Sequence, residues 1–217
     1  MEKKFRFLTE AEVDARVSTV SGKGLSLLLY KDARCDMRIL DETVGPENWQ
    51  REHYECKGNL FCRVGIRCGE EWVWKSDCGT ESYTEKEKGE ASDSFKRACF
   101  NWGIGRELYT APFIWVPVAG KDGNPNYNVV DRNGKPSTND HFKVTYMAVE
   151  DGKITALNIE NTRLRRTVYV FGNVLDLCCV CGKTVDADFA RQSRAANNGK
   201  VYCSGTCKRK DREDAGA

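Results

Sequence analysis

Between residues 60 and 68 an apolar residue stands at every second position. Leu60, Cys62, Val64, Ile66 and Cys68 interleave with Phe61, Arg63, Gly65 and Arg67, which predicts a strand with one apolar and one basic face. Gly69-Glu70 then turns the chain into Glu71-Trp-Val-Trp-Lys75, and residues 49 to 57 supply a third strand of the same meander. The period next changes to that of a helix. Ala91, Phe95, Ala98, Cys99 and Trp102 form one stripe, while Lys96 and Arg97 point away from its centre. Thr84 and Glu87 make a capping box, and Gly103 stands where a left-handed residue would stop the helix, so it is expected from about residue 85 to 102. The unit reads β-β-β-α.

Upstream, Thr9 and Glu12 make a second capping box that predicts a helix over residues 10 to 20, ended by the Ser21-Gly-Lys-Gly24 turn. Leu25 to Tyr30 is a short apolar run. Asp32 then opens a helix on which Ala33, Met37, Leu40 and Val44 share a face, with Arg34, Arg38 and Asp41 off it. Downstream, residues 119 to 140 are rich in Gly, Pro, Asn and Asp and read as a long mobile loop. Phe142 to Val149 and Lys153 to Glu160, joined by Glu150-Asp-Gly152, predict a hairpin, and Thr167 to Phe171 a further strand. The expected fold is α+β: a β-β-β-α core with an antiparallel sheet packed by a helix, an extra hairpin and a small C-terminal knuckle that carries the paired cysteines 178/181 and 203/207. Its expected divisions are an N-terminal helical arm (1–24), a core (25–172) and a knuckle with a basic tail (173–217).

Composition refines this picture. The chain has 217 residues, 40% hydrophobic and 30% charged, enough for one main core. It has no apolar run long enough to span a bilayer, and its first residues lack the apolar stretch of a secretory leader, so a cytoplasmic protein with no membrane partner is expected. A net charge of +2 does not argue for nucleic acid by itself; local clustering must do so. Eleven cysteines, an odd number, suit reduced thiols and metal binding better than disulfides.

Four of those cysteines are spaced for metal. Cys178 and Cys181 form a CxxC, Cys203 and Cys207 a CxxxC, and together they can surround one tetrahedral Zn2+. Four protein ligands leave no open coordination position, so the zinc is expected to be structural and to supply folding free energy that a segment poor in large apolar side chains lacks. Cys179 is left over as a bystander. Lys208-Arg-Lys210 reads as a solvated tail or a phosphate contact.

Chemistry finds little support elsewhere. No GxxxxGK[ST] occurs, so no nucleotide cofactor is expected. Glu55-Cys-Lys57 after Asp41 fits a magnesium-dependent nuclease only loosely, and His53 and His141 have no ligand or triad spacing. Binding fits better. Arg34, Arg38, Arg63, Arg67, Lys75, Lys96 and Arg97 come from elements that one compact unit could bring to a groove, where phosphates would be neutralised with little regard to sequence. Trp102 and Tyr109 could stack on bases, although Trp102 lies on the apolar stripe.

The segment from Lys88 to Tyr109, with its Lys96-Arg97 pair followed by an aromatic and a glycine turn, resembles the single-strand annealing proteins of the Rad fifty-two superfamily. Arg34 to Trp49 resembles that family's helix with its Gly-x-x-x-Trp entry to the sheet, and Asp77-Cys-Gly79 its strand-end Asp-x-Gly. Arg106 to Ile114 is similar to the mitochondrial nucleoid-maintenance branch. The resemblance covers about residues 25 to 116. It implies a ring or filament of identical subunits that holds single-stranded DNA in a basic groove and anneals it without ATP and without bond chemistry. Lys96 and Arg97 match the DNA-contacting pair, and Arg34 lies on the groove-lining helix. Phe100 stands where the eukaryotic member has another basic residue, which points to Arg106 as a substitute. The hairpin and knuckle resemble additions in bacteriophage members, which implies a phage or prophage protein in a bacterial cytoplasm, with a phage exonuclease or host single-strand-binding protein as partner. Two other classes stand beside this reading: a zinc-ribbon DNA-binding regulator and a metal-dependent nuclease.

Overall fold

The helix expected over residues 10 to 20 is a strand. The capping box forms, with Thr9 N donating to Glu12 Oε2 at 3.0 Å, but it closes only the 3-10 turn Glu10–Glu12. β1 (Asp14–Val20) follows and pairs antiparallel with β2 (Gly24–Tyr30), from Asp14↔Tyr30 to Val20↔Leu25. Val17, Thr19 and Val20 are β-branched, and the apolar run of β2 offers them a partner that an isolated helix lacks. The Ser21-Gly-Lys segment is therefore a hairpin loop, and the expected helical arm is instead part of a sheet. These relations come from a computed structural model that describes residues 4–80, 86–172, 176–181, 184–185 and 187–215.

α1 (Ala33–Val44) is capped by Asp32, whose Oδ1 accepts from Cys35 N at 2.8 Å. Its buried face is Cys35, Asp36, Ile39 and Leu40, rotated from the expected stripe, of which only Leu40 is fully covered. β3 (Trp49–Cys56), β4 (Asn59–Cys68) and β5 (Glu71–Cys78) form the expected three-stranded meander. Lys57 and Gly58, at φ 54° and 73°, make the tight turn between the first two, a conformation that two-residue hairpins with the native twist require.

α2 (Lys86–Trp102) packs on one side of this meander through Phe95, Ala98 and Cys99, all fully buried. Thr84 of the expected capping box lies outside the described residues. The C-terminus ends as expected: Gly103 adopts φ 102°, Gly103 N donates to Phe100 O at 2.9 Å and Ile104 N to Cys99 O at 3.2 Å, the paired bonds of a Schellman stop.

β6 (Ile114–Pro117) adds to β2. Residues 119 to 140 are more ordered than their composition suggests. They include the small hairpin of β7 (Val130–Arg132) and β8 (Lys135–Ser137), and Tyr127 is fully buried. Asp140 anchors the segment, accepting from Asn128 N at 2.8 Å and from Asn161 Nδ2 at 2.8 Å, while Asn161 also donates to Asn126 O. β9 (Phe142–Glu150), β10 (Lys153–Asn161) and β11 (Arg166–Phe171) complete a six-stranded sheet in the order β11-β10-β9-β1-β2-β6. The predicted hairpin is thus built into the main body. One core joins both sheets and both helices through Leu25, Ile39, Val64, Phe95, Ile104 and Leu157.

The last segment holds β12 (Asp176–Leu177), β13 (Thr184–Val185), α3 (Ala187–Ala196) and α4 (Gly205–Ala215). Its own small core is Cys178, Val185, Ala190 and Val201. Among the described residues no helix is long and apolar enough to cross a membrane.

Candidate nucleic-acid interface and metal centre

Strand register decides which cations share a surface. Val64 pairs with Arg51 and with Lys75, and these lie on the side covered by α2. Accordingly the Arg51 guanidinium sits 4.7 Å over the Phe95 ring, and Lys75 Nζ sits 4.5 Å over Trp102 while donating to Asn101 O at 2.9 Å. Arg106 meets the same carbonyl at 2.8 Å and Phe100 O at 2.9 Å. Lys75 and Arg106 therefore converge on the C-terminal carbonyls of α2, where cations also oppose the helix dipole.

Lys96 and Arg97 stand together in the middle of α2, each with a carboxylate neighbour. Arg97 bonds Asp77 at 3.2 Å, and Lys96 Nζ lies 3.9 Å from Asp93. Asp93 also accepts from Thr80 N at 3.1 Å, which ties α2 to the end of β5. Burial alone would lower the Arg97 pKa, but Asp77 overrides it and raises the value. Tyr109, 69% exposed, packs on Phe100 at a centroid distance of 4.4 Å, and the Arg106 guanidinium lies 5.7 Å over the same ring. A cation is thus supplied beside Phe100 from outside the helix. Trp102 is half-buried and donates to Val64 O at 2.9 Å, a core role.

Arg34 and Arg38 are exposed on α1, Arg38 lying 4.0 Å from Glu12. Next to them is a feature that residue patterns did not signal: Lys31 and Asp36 form a buried ion pair. Burial pushes Asp36 up to about 6, against the pull of Lys31 and, more weakly, of Lys96. Arg63 and Arg67 are placed differently. They alternate with the buried row of β4 and so face away from α2, Arg63 lying 4.6 Å over Trp74 and bonded to Glu52 at 2.9 Å. Arg51, which was not anticipated, takes their place on the helix side.

The loose nuclease pattern does not assemble. Asp41 accepts from Trp49 Nε1 at 2.6 Å at the start of β3, whereas Glu55 lies six residues further along that strand, about 20 Å away at the usual rise. His53 is occupied by Ala91 O at 3.1 Å, a packing role. Cys35 and Cys62 are held by burial at about 12 and about 11, which makes them inert core thiols.

Cys178, Cys181, Cys203 and Cys207 bring their sulfurs within 4.8 Å of one another. Cys181 Sγ is 3.4 Å from Cys203 Sγ, and Cys203 Sγ is 3.6 Å from Cys207 Sγ. Four sulfurs bound at about 2.3 Å in a tetrahedron would stand about 3.8 Å apart, so the donor set fits one structural metal ion. Burial raises the Cys178 thiol, yet the N–H groups of Cys181, Cys203 and Val180 bring it down to about 6, while the adjoining sulfurs push Cys203 up to about 12, so that without an ion the four sulfurs do not all ionise together. Cys179 is exposed and outside the cluster.

The family model described as Rad52/22 family double-strand break repair protein matches residues 8–127. The match runs from the first 3-10 turn through β6 and takes in the β1–β2 hairpin as well as the β-β-β-α unit. It ends before β7 and before the four clustered cysteines. Neither a curated protein nor a solved structure matches the chain.

Proposed function

The chain belongs to the Rad52/22 family of double-strand break repair proteins, and from that premise we propose that it binds single-stranded DNA and anneals complementary strands without ATP. The observation that carries this reading is the position of Lys96 and Arg97, side by side on the α2 surface within the matched region. Phosphates neutralised there would release counterions, giving salt-sensitive binding with little sequence preference. Asp77 and Asp93 hold the two cations in place before the strand arrives and are displaced by phosphate, a doubly paired arrangement that keeps long side chains from wandering. Arg106 lies over Phe100 and Tyr109 is open beside it, so the same face offers a further cation and a ring for stacking. Arg34 and Arg38 extend the basic surface along α1.

Annealing of this kind requires positioning and no bond chemistry, so no catalytic residue is assigned. The protein acts as a ring or filament of identical subunits that lays out one strand for a second to pair with. Zinc is the ion we assign to the four cysteines, because an all-thiolate tetrahedral set selects it over magnesium or calcium. Its role is to hold residues 176 to 215 folded. A phage or prophage source, with a partner exonuclease or host single-strand-binding protein, agrees with this function.

Two labelled complementary oligonucleotides, mixed without ATP and with their length checked in magnesium, test the reading. Wild type should accelerate annealing with strands intact, and Lys96→Ala/Arg97→Ala should lose the acceleration. Shortened strands would instead indicate a nuclease. Tight binding to one duplex sequence would indicate a zinc-ribbon regulator.

A further inference from the structure

The side of the three-stranded sheet that α2 leaves uncovered has its own chemistry. Register places Tyr54, Phe61, Arg63, Arg67, Trp72 and Trp74 on it. The rings are ordered against one another: Tyr54 stacks on Phe61 at 5.6 Å and 25°, Trp72 lies 6.4 Å from Trp74, and Arg63 covers Trp74. At the centre a Cβ on Gly65 would come within 2.9 Å of the Trp74 ring, so the glycine lets the indole lie flat on the sheet. Tyr54 and Trp72 still expose 36% and 37% of their surface, and Arg67 is exposed at the end of the same row.

We propose that this face is a second contact for single-stranded nucleic acid, on which unpaired bases stack while Arg63 and Arg67 meet the phosphates. The inference rests on the annealing reading for its ligand class, but on different residues. Among the described residues the register places on this face two arginines and one carboxylate, Glu52, which bonds Arg63, with Gln50, Asn59 and Ser76 as neutral polar positions, and that balance suits a polyanion. Open π-faces favour unpaired bases over duplex, whose bases are already stacked inside. From Phe61 to Arg67 the platform is about 20 Å long at the ordinary strand rise, enough for several bases. Lys96 and Arg97 lie on the opposite side of the sheet, so the two contacts are structurally independent. The outer face reads bases by stacking; the α2 face reads charge.

The experiment compares binding of oligo-dT with binding of an equally long abasic strand, in wild type, Tyr54→Ala/Trp72→Ala and Lys96→Ala/Arg97→Ala. Loss of stacking should weaken oligo-dT binding about tenfold or more while the abasic strand is affected far less. Equal loss on both strands, or no loss on either, overturns the platform. So does a change of assembly size in sedimentation, which would make the face a contact between copies of the chain. Lys96→Ala/Arg97→Ala should weaken both strands alike; if it weakens neither, the α2 reading fails whatever the aromatic variant does. Should Tyr54→Ala/Trp72→Ala not fold, Trp72→Phe decides. Oligo-dT should quench tryptophan emission in wild type, and part of that quenching should vanish in Trp72→Phe; undiminished quenching overturns the proposal.

Discussion

The main body and the cysteine module reach their folds by different physics. Around Phe95 the body buries Val64, Ile66, Ala98, Cys99 and Ile104 completely, and its two sheets share one core, so burial of apolar surface supplies the stability. Among its described residues the module buries Cys178, Val185, Ala190, Val201 and Tyr202, one of them a candidate ligand, and its helix α4 is mostly charged. A core that small cannot offset the entropy of ordering some 40 residues, and four thiolates around one ion can. Function follows the same division. The groove candidates sit on the element held by burial, which fixes their geometry without a ligand, whereas the module, as proposed, depends on an ion.

Metal removal should show the largest difference. Structural zinc is worth on the order of 10–16 kcal/mol to a small module, so chelation or Cys203→Ser should abolish helices α3 and α4 and open residues 176 to 215 to protease. All five tryptophans lie between Trp49 and Trp115, so tryptophan fluorescence reports the body alone and should barely change. A body that melts with the metal would show that the two regions are one cooperative unit.

Phe95→Ala should produce the converse result. The ring is fully buried, 6.2 Å from Trp49 and beneath the Arg51 guanidinium. Its truncation should cost about 3–5 kcal/mol. Denaturant melts followed by tryptophan emission should shift by that amount, with metal content of the module unchanged. If the variant loses metal in proportion to its unfolding, the separation fails.

The sequence was informative where local and tertiary preferences agree. The period-two run of β4 and the α2 stripe ending in Gly103 are visible because the strand and helix bury the faces their patterns specify. The cysteine spacing likewise carried its own geometry. Residues 14 to 20 were misread because a real capping box at Thr9 is a local signal, and pairing with β2 is a longer-range one that outweighs it. The 119–140 segment was misread for a related reason: its composition suggests mobility, yet Asn126 is held by Asn161, 35 residues away. The alternation of β4 already assigned Arg63 and Arg67 to the side a helix would not cover. Grouping them with Lys75, one strand over on the other side, required the register of two hairpin turns to correct. Nothing in the pattern announced that Lys31 and Asp36 would be buried together.

That buried pair gives the smallest and most selective separation of the two regions. Asp36 holds its proton up to about pH 6, above the ordinary carboxylate value of 3.8, so the folded body binds more protons than the unfolded chain between those limits. The stability it confers is complete below about pH 4 and declines as pH rises through 6. With about 1.4 kcal/mol per pKa unit, the change stays below about 3 kcal/mol. Glu12 acts in the opposite sense. Its bond to Arg6 lowers it from 4.5 to about 2, so its contribution is present above pH 4.5 and lost as pH falls toward 2. Body stability, read by tryptophan emission, should therefore rise slightly from pH 6 to 4.5 and fall below that. Asp36→Asn should remove the rise and leave the acid limb, whereas Glu12→Gln should only lessen the acid limb, to which Asp122 and Asp140, also held below the ordinary carboxylate range by their hydrogen bonds, contribute. The module should respond the other way over the first interval, since protons compete with metal for thiolates and weaken it as pH drops. A body that loses stability steadily from pH 6 downward in both wild type and Asp36→Asn would mean that Lys31 keeps Asp36 ionised, and that the pair is an ordinary stabilising ion pair.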